Sequence, residues 1–135
     1  MWICPNCERI FHTHNQYHIC IIKEMGELFL DKPDELVLVF DKIMQAVMQW
    51  QPNHAGTCKH TVVLTNKRAW LIIKPMKLAL DVKFYCKEEI DAELIKTRTK
   101  YPNKYAHHIR VCREEDVTSE FLHLLRVGYD YANGK

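Results

Sequence analysis

Apolar positions follow a helical spacing early in the chain and a strand spacing later. Leu36, Phe40, Ile43 and Val47, with Val37, Met44 and Met48 beside them, make one broad stripe and predict an amphipathic helix from about Asp31 to Trp50. Asp31 is the expected N-cap, Pro33 sits in the first turn, and Asp34 and Glu35 lie where the helix dipole favours acids. Gln51–Lys59, with Pro, Asn and Gly, reads as a loop. From His60 the pattern turns to β-branched and aromatic runs, Thr61–Thr65, Ala69–Lys74 and Leu78–Cys86, separated by turn signals at Asn66-Lys67 and Pro75-Met76-Lys77. These predict a three-stranded antiparallel meander. In its third strand Leu78, Leu80, Val82, Phe84 and Cys86 share one face, and Asp81, Lys83 and Tyr85 the other.

Glu88–Ile95 reads as a short helix, followed by an irregular basic stretch to Asn103. Tyr105–Cys112 is then a fourth strand, with Tyr105, His107, Ile109 and Val111 on one face and His108, Arg110 and Cys112 on the other. Val117, Phe121, Leu124, Leu125 and Gly128 or Tyr129 mark a closing helix, capped by Asp116 or Thr118. The order α-β-β-β-(α)-β-α predicts a small α+β domain over residues 23–135. Its helices cover one face of an antiparallel sheet, and the other face is open.

Residues 1–22 do not fit that pattern. Residues 1–20 hold three Cys, three His and few aliphatic side chains, too few to fold by burial alone. Cys4-x2-Cys7 followed by His18-x-Cys20 offers four N or S ligands, the set that a tetrahedral structural zinc takes, and the energy of metal binding would fold the segment as a zinc knuckle. His12 and His14 are alternatives to His18. His54, Cys58 and His60 are three ligand types in a loop without a fourth. Cys58, Cys86 and Cys112 read mainly as small buried residues.

Composition narrows the class. With 135 residues, 47% hydrophobic and 27% charged, the chain is an ordinary globular domain rather than a disordered or collagen-like one. No apolar run approaches the roughly 20 residues of a membrane helix. The start, Met1-Trp2-Ile3-Cys4-Pro5, lacks the basic and long apolar regions of an export signal, so a cytoplasmic protein with reduced thiols is expected.

The net charge of +2 conceals an alternation in sign. Residues 21–42 hold three Lys against six acids, 59–87 seven Lys or Arg against one Asp, and 94–113 six bases and no acid. The expected helices are therefore acidic and the strands basic. Trp70, Lys74, Lys83, Tyr85, His108 and Arg110 are expected on the open sheet face, where bases interleaved with aromatic rings suit phosphates and nucleobases. A plainer expectation for the same face is cross-strand charge pairing, such as Asp81 with a neighbouring Lys. His107, on the opposite side from its neighbour, is expected to be a hydrogen-bonded core histidine.

Cys4-Pro5-x-Cys7, Asn15-Gln16-x-His18-x-Cys20, Lys32-Pro33 before Phe40-Asp41, and Tyr105-x-His107-His108-Ile109-Arg110-Val111 together resemble an uncharacterised bacterial family. The family is catalogued as a domain of unknown function and sometimes labelled a predicted transport protein. The resemblance runs over nearly the whole chain and implies a zinc knuckle joined to a small α+β domain, with no established activity. The chain departs from the family pattern at Asp31 and at Arg113-Glu114, both near helix starts.

The expected function is a non-enzymatic zinc-binding module, carrying one structural zinc, whose basic sheet face binds nucleic acid or another anionic partner. One alternative is a protein-interaction adaptor that uses Trp2, Ile10 and Phe11 on the knuckle. Another is a small enzyme that uses His108, with Asp81 and Tyr85 as the acid–base candidates on the same face. The sequence identifies neither a small-molecule substrate nor a membrane partner.

Overall fold

The structure is a computed structural model, and it describes residues 1–3, 10, 11, 14 and 25–134. Cys4, Cys7, His12, His18 and Cys20 lie outside the described residues. Near the N-terminus, β1 (Trp2–Ile3) pairs antiparallel with β2 (Ile10–Phe11), Trp2 opposite Phe11 and Ile3 opposite Ile10. Trp2 is half-buried and meets the His14 ring edge-on at 5.9 Å.

The larger unit opens with a 3-10 turn, Met25–Phe29, and then α1 (Asp34–Val47). A second helix, α2 (Ser119–Ala132), closes it. Between them run β3 (His54–Thr57), β4 (Val62–Thr65), β5 (Ala69–Pro75), β6 (Leu80–Cys86), β7 (Thr97–Lys100) and β8 (Tyr105–Val111). They form one antiparallel sheet in the order β3-β4-β5-β6-β8-β7. The chain is thus a small α+β domain of the expected class.

Strand period decides the layering. Along β6, Leu80, Val82, Phe84 and Cys86 are buried and alternate with half-buried Asp81, Lys83 and Tyr85. The buried set belongs to one core with Leu36, Val39, Phe40, Ile43 and Val47 of α1 and Phe121, Leu124, Leu125 and Tyr129 of α2. Both helices therefore cover the same face, and the other face is left to Ile72, Lys74, Asp81, Lys83, Tyr85, His108 and Arg110. Contact is closest where α2 crosses β6. A Cβ on Gly128 would lie 3.1 Å from Phe84 Cβ and 3.3 Å from the Tyr85 carbonyl oxygen, so glycine lets the helix backbone rest on the strand.

The helix ends follow local chemistry. Thr118 Oγ1 accepts from the Phe121 N–H at 3.1 Å and caps α2, as expected. Asp31 does not cap α1. That helix begins after Pro33, whose φ of −59° already suits it, and the Asp31 carboxylate pairs with Lys32 at 3.1 Å instead. At the far end of α2, Arg68 reaches over from the β4–β5 turn and donates to the carbonyls of Tyr131 and Ala132, the Tyr131 oxygen also accepting the Gly134 N–H.

Three segments and two single residues differ from expectation. Glu88–Ile95 contains no helix: Ile90, Ala92 and Leu94 pack on the core at alternate positions and Ile95 is buried, so tertiary packing overrides the helical propensity of the acidic run. His54–Thr57 and Thr97–Lys100 are strands rather than loop and irregular chain, each at an edge of the sheet where only one neighbour is needed. Leu78, expected in the third strand, is 70% exposed and lies in the β5–β6 turn, where the Met76 N–H donates to the Ala79 carbonyl, and Cys112, expected to be buried, is exposed just past the end of β8.

Gly128→Val is expected to destabilise the domain by about 2 kcal/mol, because the added methyls meet a strand backbone that has no room to yield. Urea unfolding followed by tryptophan fluorescence measures it; an unchanged midpoint would show that α2 is free to lift from β6.

Candidate functional site

Two consecutive histidines on β8 face opposite sides of the sheet, and each organises its own side. His107 is fully buried and stacks on Phe84 with ring centroids 5.1 Å apart. Its Nε2 accepts the Ile90 N–H at 3.0 Å, so in the neutral ring the proton sits on Nδ1, which lies 3.7 Å from Cys86 Sγ. The Cys86 thiol donates to the Glu88 carbonyl at 2.8 Å, and burial pushes its pKa up, keeping it a thiol. Arg98, opposite His107 on β7, donates Nε to the Ile90 carbonyl at 2.6 Å. Together these groups hold the segment after β6 where the sequence suggested a helix. The expectation of a core histidine agrees with this geometry.

Burial first, and then the Arg98 charge, hold the His107 pKa below the ordinary imidazole value. In the unfolded chain the ring returns to about 6.5, so the unfolded state takes up the proton first as pH falls.

The open face is built in rows across the strands. Lys74, Asp81 and Arg110 lie side by side on β5, β6 and β8. The next row is Ile72, Lys83, His108 and Thr97, and the third Tyr85, Ala106 and Thr99. Rows two residues apart along a strand are separated by about 6.8 Å and strands by about 4.8 Å, so the side chains form a grid.

Asp81 anchors the grid. Its Oδ1 accepts from Arg110 Nε and its Oδ2 lies 2.9 Å from His108 Nδ1, the Arg110 contact also being 2.9 Å. The acid on this face is thus matched with His108 and Arg110, not with a lysine. Since a carboxylate only accepts, the His108 proton belongs on Nδ1 and the neutral ring presents Nε2 as an acceptor.

Around Tyr85 the chemistry is cationic and aromatic. Lys104 Nζ lies 4.1 Å from the ring centroid, Lys83 Nζ 5.5 Å, and Tyr101, 40% exposed, meets the ring edge-on at 6.4 Å. Tyr101 and Lys104 were not in the expected set. They sit in the hairpin between β7 and β8, where the Tyr101 N–H donates to the Lys104 carbonyl, and only the pairing of β7 with β8 reveals that they border Tyr85.

Of the six residues expected on the open face, Lys74, Lys83, Tyr85, His108 and Arg110 share it. Trp70 does not. It is fully buried, donates Nε1–H to Asn53 at 3.0 Å, and packs edge-on against Tyr129 at 5.4 Å. The cause is a register shift: Leu64 pairs with Leu71 but Thr65 with Ala69, so Trp70 is an extra residue that breaks the alternation and turns toward the helices.

Among the described residues no group of three or more His, Cys, Asp or Glu side chains is placed to hold a metal ion, and His54, Cys58 and His60 form no such cluster. No helix among them is long and apolar enough to cross a membrane.

The chain matches the family described as a domain of unknown function (DUF5655) over residues 25–132. It belongs to that family. No curated protein and no solved structure matches it. The DUF5655 match contains both helices, the six-stranded sheet and every residue of the charged grid, whereas Cys4, Cys7, His18 and Cys20 precede it.

The His107 contribution to the stability of this DUF5655 domain should be lost as pH drops below about 6.5 toward its lower folded-state value, and be constant from about pH 7 to 8. His107→Phe, which cannot titrate, should give a lower but flatter profile through that range. Urea midpoints at several pH values for both proteins provide the check; parallel profiles would remove His107 as the cause.

Proposed function

We propose that this chain is a non-enzymatic module that binds single-stranded nucleic acid on its open sheet face, with an N-terminal structural zinc. The observation that carries the proposal is the grid itself. Lys74, Lys83, Lys104 and Arg110 border one face with Tyr85 and Tyr101, and Asp81, the acid among them, is already engaged by two donors. Bases neutralise phosphates and release their counterions, while tyrosine rings offer stacking surfaces to bases of any sequence.

A single strand suits this surface better than a duplex. Six strands at about 4.8 Å spacing make a sheet roughly 24 Å across, wider than a major groove of about 12 Å. An unstacked strand can lie across the rows, its phosphates at the cations.

The zinc rests on donor chemistry. Cys4, Cys7, His18 and Cys20 offer a closed four-ligand set that would order the segment without opening a coordination position for catalysis. The purified chain is expected to carry about one zinc ion, and Cys4→Ser with Cys7→Ser to lose it. Elemental analysis decides: full-length protein free of zinc yet protected from proteolysis in residues 1–22 would rule the metal out.

The adaptor reading draws on a different observation, the exposed Met1 and Ile3 at the N-terminal ribbon, and it requires binding that depends little on salt.

For the nucleic-acid reading, fluorescence anisotropy against a mixed-sequence single strand should give a log–log salt slope of about −3 for four phosphate contacts. Lys74→Ala with Lys83→Ala should lower the slope by about 1.4 and weaken all sequences alike, without taking a partner from Asp81. Binding with an unchanged slope in the double variant would place the contact elsewhere.

A further inference from the structure

The open face carries mostly donors, with the Tyr85, Thr97 and Thr99 hydroxyls able to turn either way, and His108 alone holds an acceptor fixed in direction by a carboxylate. Lys74, Lys83 and Lys104 have only N–H groups to offer, and Arg110 commits Nε to Asp81 while no described residue takes its terminal nitrogens. The Asp81 carboxylate is filled from two sides. Against this background the Nε2 of neutral His108 is an acceptor set in the middle row, opposite Lys83 on β6 and Thr97 on β7. It is not adrift: Asp81 fixes both the ring plane and the tautomer at 2.9 Å, and no described residue takes Nε2.

Phosphates present only acceptors, so His108 Nε2 has no use for them. A ligand that fits the row must place a donor one group away from a phosphate. In a nucleotide chain the ribose 2′-hydroxyl does this, next to the 3′-phosphate, and deoxyribose lacks it.

We propose that the His108–Asp81 pair reads the 2′-hydroxyl, making the open face selective for single-stranded RNA over DNA. This rests on the nucleic-acid reading above and adds the sugar to it. In the complex the 2′-hydroxyl donates to His108 Nε2, and the neighbouring phosphate lies between Lys83 and the terminal nitrogens of Arg110. Asp81 acts as a positioning residue. It keeps the proton on Nδ1, which leaves Nε2 as the accepting nitrogen of the neutral ring, and it holds Arg110 one row away.

The test is anisotropy with the full-length chain at about pH 8, above the ordinary imidazole range, using oligouridine, oligodeoxyuridine and 2′-O-methyl oligouridine of equal length. These probes share the base and differ at one sugar position. Oligouridine should bind about threefold to tenfold more tightly than oligodeoxyuridine, the worth of a net hydrogen bond. The 2′-O-methyl probe, which keeps the oxygen but cannot donate, should bind no better than the deoxy probe. His108→Phe should remove the RNA advantage, so that oligouridine and oligodeoxyuridine bind the variant equally.

Equal affinity for the first two probes, with steep salt dependence retained, overturns sugar reading and leaves nucleic-acid binding standing. A 2′-O-methyl probe as tight as oligouridine also overturns it, since sugar shape rather than a donated proton would then be sensed. That comparison uses the unaltered protein, so it holds even if His108→Phe fails to fold. Absence of binding to all three probes at low salt overturns the nucleic-acid reading and this inference together.

Discussion

Adjacent residues of an extended strand point to opposite sides, so β6 can bury Leu80, Val82, Phe84 and Cys86 only by sending Asp81, Lys83 and Tyr85 to the open side. Both neighbours of β6 obey the same constraint. β5 answers with Leu71 and Ile73 below and Ile72 and Lys74 above, and β8 with His107 and Ile109 below and His108 and Arg110 above. The register that closes the core is therefore the register that assembles the charged grid. A slip of one residue would expose Phe84 and bury Lys83 and Arg110, each far costlier than any pair on the surface could offset. Geometry on the open face is in this sense inherited from packing on the other.

β8 shows how completely the two sides divide the work. His107 and His108 are chemically identical and adjacent, yet one is sealed against Phe84 with its ring nitrogens facing Ile90 and Cys86, and the other is bound to a carboxylate at a partly open surface. Burial disfavours the charged form of the first and makes it a fixed acceptor that ties the coil after β6 to the sheet. Tyr105–Val111 thus draws together residues with different physical tasks, and a substitution at His107 would be felt as stability before it was felt at the grid.

How far the sequence discloses this architecture depends on what enforces each element. Strict alternation in Leu80–Cys86 and Tyr105–Val111 has one low-energy reading, and it assigns Lys83, Tyr85, His108 and Arg110 to a common face without any knowledge of strand order. Trp70 escapes because a bulge is a pairing event: nothing in Ala69-Trp70-Leu71 says that Thr65 will pair with Ala69. The edge strands His54–Thr57 and Thr97–Lys100 carry little apolar alternation because edges face water, so the physics that makes them safe also makes them hard to read. Glu88–Ile95 has helical propensity, and the Ile90 N–H instead goes to a histidine whose partner no local pattern specifies. Asp81 was legible as a charged neighbour, but its choice of His108 and Arg110 over Lys74 depends on side-chain reach across the strands.

Asp81 also bears on why an acid belongs in a basic grid at all. A partly exposed carboxylate–guanidinium contact contributes about 0–1 kcal/mol to stability, so folding alone gives little reason for it, and its charge weakens the field that would draw an anion. Against this stands the cost of fixing a free arginine, whose rotamers carry about 2 kcal/mol of entropy that a binding event must otherwise remove. With Nε held at 2.9 Å, Arg110 has already surrendered much of that freedom, and the same carboxylate fixes the His108 ring. One negative charge thus exchanges some long-range attraction for two oriented groups. That exchange favours a ligand recognised at fixed positions over one merely attracted, and it separates this face from a lysine-covered surface of the same net charge.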